Sequence, residues 1–259
     1  MIYKYFISTF FFIFAGCYVS NNKFDNIVHN NQLSIYKGNF PVLIVVSHDG
    51  QKNIDNIPIR KDSTENFNIK NDLYTRQIGQ EVYSISSKDK KYIPYLIVNN
   101  IHRKYVDMNR SSQYAYESEF TKEIYHQFHS TIDSQINNLI KTYGYAIIYD
   151  IHGFSSSSHD IVLSNRNNST TSLKANDLLI NNNNSFINEL NKLNFKTSIN
   201  DPFYGGFIIK NIFTKFGNYN TSSIQVEIGK DIRYDSHKRS IFIDSFINHL
   251  EIIGNDYNI

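Results

Sequence analysis

Residues 41–47 (PVLIVVS) form an unbroken apolar run rich in β-branched side chains. Such a run suits a strand covered on both faces of a sheet. Residues 95–98 (YLIV) and 145–149 (YAIIY) repeat the pattern, and 160–163 and 222–228 give two further strands. A different period lies between them. Phe120, Ile124, Phe128, Ile132 and Ile136 recur every fourth position, with Tyr125 and Leu139 beside them. That spacing predicts one apolar face of a long helix over 112–142, stopped by Gly144. Helices are also expected over 72–83, 185–193 and 241–252. The polar stretch 51–71, which contains Pro58, reads as a long loop.

Strands alternating with helices predict a single α/β domain, a mixed, mostly parallel sheet flanked by helices on both faces. The domain is placed at 39–259, with the polar stretch 18–38 read as a spacer. Apolar residues make up 41% of the chain, enough for a core of that size. The formal net charge is only +2 and the basic residues are scattered, so nucleic acid is not an expected partner.

The N-terminus carries a second kind of pattern. Lys4 precedes an apolar run over 5–15, too short for a comfortable membrane span. Small residues follow at Ala15 and Gly16, so 1–17 reads as an export signal and the protein as secreted or periplasmic. Phe14-Ala15-Gly16-Cys17 resembles a bacterial lipoprotein processing site, with Phe14 where Leu is usual, which makes Cys17 a candidate lipid anchor. Cys17 is the one cysteine, so no intramolecular disulfide can form. A monomer is expected.

Candidate chemistry sits where apolar strands end. The first ends at His48-Asp49-Gly50 and the third at Asp150-Ile151-His152-Gly153. In open α/β sheets, ligands bind outside the carboxyl ends of the strands, so parallel strands would bring His48 and His152 to one edge. Two imidazoles and a carboxylate leave one tetrahedral position open, the pattern of catalytic zinc. A turn or capping role is the plainer alternative for either histidine. Arg110 carries a planar fork suited to a carboxylate, with Asn109 beside it; Asp107 or Asn109 could equally cap a helix. Residues 200–206 (NDPFYGG) form a loop signature in which Gly205 and Gly206 allow close approach to a ligand. Glu227 interrupts an apolar strand, which is costly unless the carboxylate is paired or catalytic. His126 and His129, three apart on the long helix, read as part of a solvated face.

Taken in order, PVLIVVSHDG, Asn71-Asp72-Leu73-Tyr74-Thr75, HRKYVDMNR, Asp150-Ile151-His152-Gly153, HDIVLSN, NDPFYGGF and Gln225-Val226-Glu227 resemble the N-formylglutamate amidohydrolase family. The resemblance implies a fold like the zinc carboxypeptidases, with one zinc ion per chain. His48 and His152 match the histidine ligands. Zinc carboxypeptidases place Glu three residues after the first histidine, where this chain has Gln51. Asp72 matches the family's acidic residue before the threonine, so the resemblance makes it the expected third ligand, with Asp150 as the alternative ligand or as an orienter of an imidazole. The same likeness makes Glu227 the general acid/base and gives Asn109 and Arg110 the substrate carboxylate. Arg103 is assigned a second carboxylate or the scissile carbonyl, and Gly205 and Gly206 line the substrate. The expected activity is hydrolysis of a linear amide in a small N-acyl amino acid. An exported enzyme that cuts peptides or cell-wall fragments and an inactive binding protein on the same fold are the alternatives.

Overall fold

The computed structural model describes residues 27–29, 31–61, 67–155, 158–217 and 220–257. Eight strands among these join one sheet in the order β1-β2-β4-β3-β5-β8-β6-β7. They are β1 (Ile27–His29), β2 (Leu33–Tyr36), β3 (Val42–Val46), β4 (Tyr95–Asn99), β5 (Ala146–Phe154), β6 (Ile161–Ser164), β7 (Thr197–Ile199) and β8 (Thr221–Gly229). The central strands β4, β3, β5 and β8 run parallel, and β1, β2 and β6 add antiparallel neighbours. Strand order turns around β3, which has β4 on one side and β5 on the other.

The parallel centre is buried on both faces, as its continuous apolar runs require. Val42, Ile44 and Val46 of β3 face one core with Ile147, Tyr149 and Ile151 of β5. Helices α1 (Thr75–Asp89), α5 (Phe186–Lys192) and α8 (Ser236–Asp256) cover that side through Ile78, Phe186 and Phe246. Leu43, Val45 and Ile148 point the other way, against α3 (Glu119–Tyr143) and α6 (Phe207–Phe216). Helices α2 (Ser112–Ala115), α4 (Leu173–Asn176) and α7 (Lys230–Tyr234) are single turns, and a π-helical turn, Asp177–Asn181, follows α4.

The expected long helix is divided. Ser118 caps α3: its hydroxyl accepts from the Thr121 N–H, and the Thr121 side chain answers to the Ser118 backbone. That reciprocal cap fixes a helix start inside the stretch read as continuous, so 112–115 becomes a separate turn. Gly144 ends α3 at φ 81°, a left-handed position open to glycine at little cost. The face-forming residues Ile124, Phe128, Ile132 and Ile136 are buried, whereas Phe120, the second residue of the helix, is exposed. His129 departs from its expected solvated position. It is 9% exposed, and its Nε2 lies 3.1 Å from the Met108 carbonyl oxygen, to which it donates.

The stretch read as a spacer also needs correction in its described part, since β1 and β2 fall within it. Strand β2 pairs with β4, burying Leu33 and Tyr36. Residues 1–26, which hold the expected signal and Cys17, lie outside the described residues.

Candidate metal centre

The carboxyl edge of the parallel strands forms the floor of a cleft of about 1090 Å³ lined by His48, Asp72, Arg103, Asn109, His152 and Glu227, among others. Its base is set by sheet register. Asp150 pairs with Gln225 and His152 with Glu227 across β5 and β8. With a side-chain period of two, all four sit on the face opposite Ile151 and Val226. Strand β5 therefore extends past the expected end at Tyr149, and His152 is inside it rather than beyond it. Burial of Asp150 and His152 explains why the apolar run stops before the strand does.

His48 lies two residues past the end of β3, and the backbone ties Asp72 to it: the Asp72 N–H donates to the His48 carbonyl at 3.0 Å. Asp72 ends the 51–71 loop, just ahead of α1. Its Oδ2 lies 3.2 Å from His48 Nδ1 and 3.2 Å from His152 Nδ1. The two rings are 4.7 Å apart at 69°. Each imidazole turns its other nitrogen to a different carboxylate. His48 Nε2 is 2.6 Å from Asp107 Oδ1, and His152 Nε2 is 2.8 Å from Asp150 Oδ2.

Among the described residues, His48, Asp72 and His152 form the group able to hold a metal ion, with one donor atom each within 4.8 Å of one another. Bonds of about 2.0–2.1 Å around a tetrahedral ion separate its ligand atoms by about 3.3 Å. The Asp72 oxygen stands at that spacing from both Nδ1 atoms. The outer carboxylates fit the same reading, because a ligating histidine commonly donates its other N–H to a carboxylate that fixes tautomer and ring orientation. Of the two acidic residues weighed in the sequence, Asp72 faces the shared point and Asp150 sits behind His152. Gln51 lines the cleft, and its amide nitrogen donates to Asp49 Oδ1 at 3.1 Å.

The charges around Asp72 and Asp107 favour their ionised forms. Burial works against charge on Asp72, but hydrogen bonds with His152 and His48 and the charge of Arg103 hold its carboxyl well below the usual range. Asp107, fully buried, is opposed by the same desolvation and is likewise held down by His48 and Arg103. Burial pulls His152 down, and Asp150 beside it reverses the sign, lifting the imidazole well above its ordinary value. Glu227 behaves differently. Burial is the largest effect and pushes its carboxyl up, against the pull of His152 and a 2.7 Å bond from Gln225 Nε2. A buried carboxyl raised in this way gives up its proton less readily than an exposed one.

Asp107 had no functional reading in the sequence beyond a helix cap. No helix starts beside it, although its Oδ1 does accept from the Asn109 N–H at 3.0 Å. Its Oδ2 gathers Arg103 Nε at 3.1 Å, Arg60 Nη2 at 3.5 Å and Arg110 Nε at 3.9 Å. Arg60 is a further residue without a sequence signal. Its buried fork also bonds the carbonyls of Arg103 and Asn68, anchoring the loop that delivers Asp72.

The expected substrate residues fall in two places. Arg103 is tied to Asp72 Oδ1 at 3.3 Å as well as to Asp107, and lines both the first cleft and an adjoining cleft of about 760 Å³. Arg110, Gly205 and Gly206 line the adjoining cleft, with Asn109 shared between the two. Gly205 has φ 100°, a conformation that favours glycine. The Asn109 amide braces the wall: its Oδ1 accepts from the Ile208 N–H at 2.8 Å and its Nδ2 donates to Gln225 Oε1 at 3.4 Å.

Residues 115–233 match the family model FGase, N-formylglutamate amidohydrolase. The chain resembles that family. The matched stretch contains His152 and Glu227, while His48 and Asp72 precede it. The solved N-formylglutamate amidohydrolase from Ralstonia eutropha JMP134 is similar over 88% of this chain and 98% of that one, with a TM-score of 0.66 and 14% identity. A gene product from Agrobacterium tumefaciens gives 0.61 at 14% identity, over 85% and 92% of the two chains. At these identities the likeness is one of fold. A metallo-carboxypeptidase from Pseudomonas aeruginosa is a more distant neighbour, at 0.49 and 9% identity over 87% and 61%. No curated protein matches the chain.

Proposed function

We propose that the protein is an exported zinc-dependent amidohydrolase that cleaves the C–N bond of N-acyl amino acids, as an N-formylglutamate amidohydrolase would. One observation carries the reading: Asp72 Oδ2 stands 3.2 Å from the Nδ1 atoms of both histidines, each of which is held from behind by its own carboxylate. The FGase family match over 115–233 supports the amide as the bond cut.

His48, Asp72 and His152 would hold the ion. When bound, zinc supplies Lewis acidity and a water of lowered pKa, toward about 7. Asp107 and Asp150 keep the two imidazoles aimed. Glu227, paired with His152 across the strands, takes the proton of the attacking water and returns it to the departing amine. Arg110 grips the substrate carboxylate in the adjoining cleft, so that binding orients the amide. Arg103, fixed by Asp72 and Asp107, presents its remaining N–H groups to the scissile carbonyl.

Protein purified without chelators should contain close to one zinc per chain and hydrolyse N-formylglutamate, with N-acetyl and peptide amides defining the acyl preference. Activity removed by chelation should return with zinc. Absence of both zinc and metal-restorable hydrolysis refutes the proposal, and a His48→Ala protein with full metal content refutes the ligand set. The two adjoining clefts, about 1090 and 760 Å³, favour a second reading in which the substrate is a peptide or cell-wall fragment. Preferential turnover of the peptide amides would select it. Export, read from residues 1–17, is tested by fractionating cells that express the full chain and by labelling Cys17 with a lipid precursor.

A further inference from the structure

Arg233 belongs to α7 and is 4% exposed. Its guanidinium donates to three backbone carbonyls on three separate segments. Nη1 bonds Leu73 O, Nη2 bonds Phe154 O at 3.0 Å, and Nε bonds Ile228 O at 2.9 Å. Leu73 is the residue after Asp72, Phe154 lies two beyond His152, and Ile228 is the residue after Glu227. A single planar fork thus joins the three chain segments that carry a proposed ligand, a second ligand and the proposed base.

The geometry points to Arg233 as the positioning residue that sets Asp72 against His152 and Glu227. This rests on the zinc reading of the same site. His152 and Glu227 are already held to each other by strand register, but Asp72 arrives on a loop. A rigid fork with five N–H donors can hold that loop to both strand ends at once, which the point charge of lysine cannot. The bonds to Phe154 and Ile228 are buried and the one to Leu73 is part-buried, so losing the fork removes donors from two carbonyls away from water, and the arrangement resists drift. Gly153 provides a separate sign of fit. A Cβ there would meet Arg233 Cζ and Nε at 2.5 Å, so the fork lies flat against β5 in space that only glycine leaves.

The test compares wild type with Arg233→Lys, Arg233→Gln, Gly153→Ala and the Gly153→Ala/Arg233→Gln pair. A control variant, Tyr149→Phe, breaks a buried bond to His249 in the core on the α8 side of the sheet. Zinc affinity is measured by chelator competition well below each variant's melting temperature, alongside kcat and KM. Loss of an outer support should weaken zinc by about 10–100-fold. Arg233→Lys and Gly153→Ala should both show it, kcat should fall more than KM rises, and the double variant should be no worse than Arg233→Gln. The control should lower the melting temperature without changing zinc affinity. Variants that are less stable but bind zinc as wild type does would make Arg233 structural only and overturn the inference. A wild type that takes up no zinc refutes the metal reading instead. The inference is then decided by crystal structures of the metal-free proteins: Asp72 Oδ2 still 3.2 Å from His152 Nδ1 in Arg233→Lys overturns it, and a displaced Asp72 loop sustains it.

Discussion

Asp107 offers the sharpest test of how the site is held. It is wholly buried, it accepts from His48 at 2.6 Å, and it faces the guanidiniums of Arg103 at 3.1 Å and Arg60 at 3.5 Å. Asp107→Ala removes the one carboxylate common to these groups and leaves Arg60, equally buried, without its charge partner. Breaking a buried ion pair from one side costs about 3–5 kcal/mol. For a chain of this length each kcal/mol lowers the melting temperature by about 2–4 °C, so a fall on the order of 10 °C is expected. Asp107→Asn separates the two roles. Its side-chain oxygen can still accept from His48, but the negative charge is gone. Stability should fall by less than in the alanine variant, and zinc affinity should drop about 10–100-fold, the usual cost of losing an outer carboxylate. Differential scanning calorimetry of the metal-free proteins and chelator competition with zinc measure the two effects independently. An asparagine variant with wild-type zinc affinity, together with an alanine variant melting within about 2 °C of wild type, would show that the charge cluster around Asp107 does neither job.

Glu227→Gln should keep its zinc and lose about 10²–10⁴-fold in kcat, the range for a general acid/base, as read by metal analysis and steady-state kinetics on one sample. The share of stability held by two buried neutral histidines should also fall on mild acidification. Burial lowers His129 to about 4 and His249 to about 3, against about 6.5 in the unfolded chain. Between pH 6.5 and 4 the unfolded chain binds more protons than the folded one, so stability rises with pH across that window and is lost as pH falls. At pH 5 each histidine should cost about 2 kcal/mol relative to pH 7, and urea titrations of wild type and His129→Gln at the two pH values will show the His129 share disappear. Gly206→Ala places a methyl group on the Asn109 amide, so it should disturb the brace to Ile208 and Gln225. A rise in KM with zinc content unchanged is the expected signature.

The centre of the sheet was readable because burial on both faces leaves unbroken apolar runs, and β3 and β4 fall where those runs lie. The edge was not. Strand β2 is four residues with a polar serine between Leu33 and Ile35, and its partnership with β4 is a long-range fact that local pattern does not carry. Helix α6 was hidden by the loop signature before it, which drew attention to Gly205 and Gly206 and away from the apolar spacing of Ile208, Ile209 and Ile212. His48 and His152 were marked by their places at strand ends and then, with Asp72, by motif order, and the structure brings the three together. Asp150 carried its clue in spacing, since two residues back along a strand shares a face with His152. Asp107 and Arg60 gave none, because a buried salt-bridged cluster looks, in sequence, like any scatter of charged loop residues. Arg233 is the same case: its three partners are backbone carbonyls, which no side-chain pattern marks.

The pairing of β5 with β8 has a consequence for motion. Nine residue pairs, from Ala146–Thr221 to Phe154–Gly229, lock the two strands together, and a slip of one residue would send His152 and Glu227 to opposite faces. The alignment of the proposed ligand and the proposed base therefore belongs to the part of the molecule that opens last. Amide protons of 147–153 and 222–228 should exchange with solvent only through global unfolding, while those of 51–61 and 67–71 exchange through local opening. Substrate entry can then be accommodated by the loop side, with the proton-transfer geometry left standing.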